Sequence, residues 1–188
     1  MQKGISKFQS ASTRLGRRRG DIWVETIIYT LIALTMMGAV LAFIIPKIGE
    51  FQDKSTIEQS VNLMKDMNNV ILSVVQGGPG NKRIVDAEIK KGAVIIDGTN
   101  NKISFQMETD YLYSEPGREI SMGSIKATTE KLGGTNKVTL TMNYAHEISV
   151  NGKNEEKRIE HSANSYKISI ENKGEDAGGK TVIDFVVS

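Results

Sequence analysis

Two histidines, His146 and His161, are the first residues to weigh for chemistry, because imidazole serves both as a general base and as a metal ligand. Fourteen residues separate them, they fall on different segments, and neither stands at a metal-ligand spacing. The acid clusters Glu108-Thr109-Asp110 and Glu155-Glu156 lack the regular loop spacing of a calcium site and read as solvated strand ends and loops. Gly77-Gly78-Pro79-Gly80 resembles a phosphate loop in glycine count alone, since no Lys-Ser/Thr follows it. With no cysteine there is no thiol nucleophile, no thiolate metal site and no disulfide framework. No N-x-S/T sequon occurs, so glycosylation through that motif is not supported. The residues point to no catalytic role, no metal and no cofactor. One carboxylate is different in kind: Glu25 is the only charged residue between Ile22 and Ile45.

That carboxylate sits in a run of 24 positions preceded by Arg17-Arg18-Arg19-Gly20-Asp21. At about 1.5 Å per residue the run spans roughly 36 Å as a helix, enough to cross a bilayer core of about 30 Å. An ordinary core helix would place polar residues on its outer face, and this segment does not. A secretory signal has a shorter apolar core and a small-residue cleavage site, which Val40-Leu41-Ala42 supplies poorly. A twin-arginine signal fits no better, with Asp21 and Ile22 after the arginines. A plain signal-anchor helix explains the length and the basic flank but not Glu25. An acid costs on the order of 2.5–3.5 kcal/mol at the bilayer centre, less near the edge, unless it has a partner.

Basic residues, a glycine, a carboxylate five positions beyond it and then an apolar helix together resemble the class III leader of type IV pilin-like proteins. The short basic leader, with cations directly before the glycine, is more similar to the archaeal branch than to the bacterial one. The resemblance covers residues 1 to about 76. It implies that a prepilin peptidase, reading Arg18, Arg19, Gly20 and Asp21, cuts after Gly20. It further implies that Glu25 meets the free amine of a neighbouring subunit, created at Asp21. A buried carboxylate and ammonium can offset each other where neither could stand alone. Asp21 departs from the bacterial pattern, which carries Phe or Met there. The partners implied are an assembly ATPase, a membrane platform protein and further copies of the chain. Major pilin, minor pilin, archaellin and pseudopilin all remain open within the class.

Composition fits that division of the chain. Residues 1–20 carry six cations and no acid; without them 18 basic residues face 22 acidic ones, a net −4. Nucleic-acid binding is therefore not indicated, and the basic block favours a cytoplasmic N-terminus with the remainder outside. Pro46 and Gly49 mark the first boundary, with a bend expected at the proline. Helical pattern then resumes. Ile57, Val61, Met64, Val70, Ile71, Val74 and Val75 form an apolar stripe, with Leu63 and Met67 beside it. Gln76-Gly77-Gly78-Pro79-Gly80-Asn81 ends the helix.

Beyond it the apolar period changes from 3.6 to 2. Ile103-Phe105-Met107, Val138-Leu140-Met142-Tyr144 and Tyr166-Ile168-Ile170 each alternate with polar neighbours, as half-buried antiparallel strands do. Turn signals at Asp97-Gly98, Pro116-Gly117, Gly133-Gly134, Asn151-Gly152 and Gly178-Gly179 separate them. Residues 181–187 are apolar on both faces, as in a central strand. The expected class is α+β: a long hydrophobic N-terminal helix extended into an all-β, antiparallel, sandwich-like head of eight or nine strands. The expected organisation is a removed leader at 1–20, a transmembrane or filament-core helix at 21–45, an amphipathic continuation at 46–76 and an extracellular β head at 77–188. The reading that follows is a structural subunit, not an enzyme, held in the cytoplasmic membrane and then in a surface filament. The alternative is a membrane-anchored binding module that does not assemble. A membrane-anchored enzyme has no residue set behind it.

Overall fold

The computed structural model describes residues 19–188, with side chains from Trp23 onward. One α-helix, α1, runs Arg19–Gln76 and is followed by ten strands. The chain divides into two compact units, one ending at Ile45 and one running Pro46–Ser188. Pro46 lies inside the helix and does not end it. Its missing N–H removes the rung to the Ala42 carbonyl, a local loss, and the helical assignment continues through Lys47.

In the first unit every side chain from Trp23 to Ile45 is exposed. Two of its hydroxyls close on their own helix: Thr30 Oγ1 donates to the Thr26 carbonyl (2.7 Å) and Thr35 Oγ1 to that of Ile32 (2.8 Å). Such back-bonding satisfies these two hydroxyl protons without water on an apolar surface.

In the second unit one face of the helix is buried. Ile57, Met64, Met67, Ile71 and Val74 are fully or almost fully enclosed, whereas Leu63, Val70 and Val75 only flank the core. Met67 therefore belongs to the centre of the stripe and Val70 to its edge. The helix stops at glycine: Gly77 N–H reaches the Ser73 carbonyl (3.0 Å), and Gly78 takes φ 77°, where a side chain would strain. The buried Asn172 caps the free end by donating from Nδ2 to the Val74 carbonyl (3.3 Å).

The strands are β1 Lys82–Ala87, β2 Ala93–Asp97, β3 Lys102–Thr109, β4 Ile120–Met122, β5 Ile125–Leu132, β6 Thr135–Asn143, β7 Glu147–Val150, β8 Glu156–Glu160, β9 Tyr166–Glu175 and β10 Thr181–Val187. They form a four-stranded sheet in the order β1-β9-β10-β7 and a six-stranded sheet in the order β4-β5-β6-β3-β2-β8. Inward residues of both sheets, among them Phe105, Leu140, Ile170 and Phe185, share one apolar core with the helix stripe. The fold is α+β, a long N-terminal helix followed by a β-rich, sandwich-like head.

Two expectations need correction. The sheets are not wholly antiparallel, because β10 pairs with β7 in parallel, Ile183 opposite Ile148. The 30 residues between the two strands form β8, in the other sheet, and β9, which gives the long crossover that a parallel pair requires. The count is ten rather than eight or nine. β4 was too short to show alternation, being three residues joined to β5 through Gly123-Ser124 with Met122 opposite Ile125. β10 is a central strand, as its two apolar faces suggested.

Candidate functional site

Residues 1–18, and with them Arg18 of the processing junction, lie outside the described residues. Among the described residues Arg19, Gly20 and Asp21 are helical, part of α1. Asp21 and Glu25 are four residues apart, a spacing that places two helical positions on one face about 6 Å apart along the axis.

Glu25 itself is exposed and lines a shallow depression with Val24, Ile28 and Tyr29. Around it the helix is apolar on every side, from Trp23 (76% exposed) to Phe43 (77% exposed). The helix reaches a mean hydropathy of 2.4 over its apolar stretch and is long and apolar enough to cross a membrane by length and composition. A surface of this kind needs cover from lipid or from other apolar helices.

Within the head, charged groups are held by local geometry. One open cleft, about 420 Å³, is lined by Lys91, Gln106, Lys137, Arg158, Glu160 and His161. Arg158 Nε donates to Glu160 Oε1 (2.7 Å) within it, and that bond, with the positive charge behind it, holds the Glu160 carboxyl below its ordinary range. His161 is exposed at the end of β8, and His146 is half-buried in the bend before β7. No family model, curated protein or solved structure matches the chain. Among the described residues no three His, Asp or Glu side chains converge as a metal would require.

Several buried polar groups of the head belong to folding. Burial would raise the Asp97 carboxyl, but hydrogen bonds from Asn100 and the Lys102 ammonium outweigh it and hold the group low. Burial pushes the Tyr144 phenol far up, while its hydroxyl donates to Asn68 Oδ1 of the helix (3.4 Å). Asp184, also buried, accepts from Ser149 Oγ and from Gly152 N–H, both at 2.7 Å, and so fixes the turn at Asn151-Gly152.

Sequence reasoning missed one constellation. Asp53 accepts from Lys91 Nζ (2.6 Å) and from Thr109 Oγ1 (2.7 Å), and Thr109 Oγ1 in turn accepts from Tyr111 N–H (2.8 Å). These bonds tie the helix to the segment between β1 and β2 and, through Thr109, to the end of β3 and the loop after it. The signal was present, since Asp53 stands four residues before Ile57 on the stripe's own register, where an acid needs a partner. The same loop carries Leu112, half exposed, beside Tyr111, which with Phe51 lines an apolar depression rimmed by Lys47, Glu50 and Lys54.

Proposed function

We propose that the chain is a structural, pilin-like subunit: cut after Gly20, held by its apolar helix in the cytoplasmic membrane with the head outside, and assembled through that helix into a surface filament. The observation that carries this reading is Glu25, a single carboxylate on a helical surface otherwise apolar on all sides. An anchor alone has no use for that charge, because an apolar side chain is better accommodated in lipid. A helix that exchanges lipid for sister helices does, since the new amine at Asp21 of a neighbour supplies the counter-charge in a low-dielectric core. Prepilin peptidase, an assembly ATPase and a membrane platform protein are the partners the leader calls for.

The test is Glu25→Gln, which keeps size and hydrogen-bonding capacity and deletes the charge. The variant is expected to insert and to be cut after Gly20, yet to yield few or no filaments by electron microscopy of intact cells. Filaments at wild-type number and length would remove the main reason to prefer a subunit over an anchor. In that event the reading favoured is a surface-anchored binding module. The open cleft at Lys91, Lys137, Arg158 and His161 is the feature on the head that speaks for it.

A further inference from the structure

The apolar depression beside Phe51 lies wholly in the unit Pro46–Ser188, and nothing within that unit covers it. Phe51 is 70% exposed and Leu112 49%. Both are held in place. The bonds from Lys91 and Thr109 to Asp53, and from Tyr111 N–H to Thr109, fix the loop against the helix. Asn136 Nδ2 adds a bond to the Asp110 carbonyl (3.3 Å). A large aromatic and a leucine kept exposed on an ordered surface call for an apolar occupant.

We infer that Phe51, Tyr111 and Leu112, with Lys47 and Lys54, form a foot that rests in the lipid interface of the bilayer crossed by the helix. This goes beyond the proposed function and rests only on its membrane part, not on assembly. Chain position supplies the first argument. Phe51 stands three residues, about 4.5 Å of helix, beyond Ile48, an apolar side chain itself 49% exposed, and the headgroup layer occupies roughly the 5–8 Å outside each face of the hydrocarbon.

Chemistry supplies the second argument. Aromatic rings with an apolar body and lysines with long stems are the side chains that settle at this depth, rings at the acyl boundary and ammonium groups toward phosphate. Lys47 and Lys54 are each about half exposed and paired with Glu50 and Glu58 of the next helical turn, at 2.8 and 3.9 Å, so both ammonium groups can still turn toward lipid phosphate. A loop far from the helix in sequence would thus become part of the anchor.

Because the chain has no cysteine, single cysteines can be introduced and labelled one at a time. The full chain carrying Phe51→Cys, Leu112→Cys, Met37→Cys or Leu132→Cys is spin-labelled and reconstituted in liposomes of phosphatidylcholine with phosphatidylglycerol. Collision rates with oxygen and with a water-soluble nickel chelate report depth. Labels at 51 and 112 are expected to show an oxygen-to-nickel ratio several-fold above that at 132, an exposed site on the β5–β6 hairpin, and below that at 37. Ratios at 51 and 112 equal to that at 132, with 37 deep in lipid, would overturn the foot and leave the anchor standing. A water-accessible label at 37 would overturn both. Labels at 51 shielded from both probes and broadened by spin–spin coupling would replace lipid by a second copy of the chain and equally overturn the proposal.

Discussion

Asp53 shows how much one side chain does in this head. It occupies the core-facing side of the helix, yet its carboxylate is satisfied by Lys91 and Thr109, 38 and 56 residues away. Thr109 is buried, whereas Lys91 is half exposed, so the hydroxyl bond should dominate the energetics and the ion pair add little. Asp53→Ala is expected to lower unfolding stability by about 1.5–3 kcal/mol, the usual worth of a hydrogen bond to a charged group. A urea titration of the full chain in detergent, followed by the strand signal in circular dichroism, would check it. An unchanged midpoint would mean that the loop after β3 is held by packing alone. Glu25 was legible because a charge in an apolar run stands out without knowledge of any partner. Asn172 was not, because the carbonyl it caps belongs to Val74, 98 residues earlier, and nothing local marks the pairing.

At the level of elements, periodicity read well wherever one face is buried and the other wet. Val138, Leu140 and Met142 point inward from β6, and Gly133-Gly134 makes a two-residue turn with Leu132 opposite Thr135. The parallel pairing of β7 with β10 was illegible, because strand sequence carries burial but not the direction of its neighbour. Close approach was equally hidden. Gly92 takes φ 84°, and a Cβ there would run into the backbone oxygen of Gln106 and crowd the Phe105 ring. Gly92→Ala is therefore expected to destabilise the head by at least about 1–3 kcal/mol. Gly134→Ala is expected to change little, having open space and no positive φ. Thermal melts of the two variants side by side decide the point, and equal melting temperatures would contradict it.

Taken whole, the molecule combines a part that buries its own apolar surface with a part that cannot. From Pro46 onward the helix stripe and two sheets close one core. From Trp23 to Ile45 nothing is closed, and a bilayer or sister helices must complete what the chain leaves open. The charge division follows the same line, a basic block of six cations before Asp21 and a net −4 after it. A subunit that assembles has to shed that block to free the Asp21 amine for a neighbour's Glu25, whereas an anchor has no such need. Intact-mass measurement of the protein taken from its native membrane and surface fractions tests this most directly. The account predicts a single mature species that begins at Asp21 and lacks residues 1–20. A chain that keeps Arg17-Arg18-Arg19-Gly20 at the cell surface would contradict it.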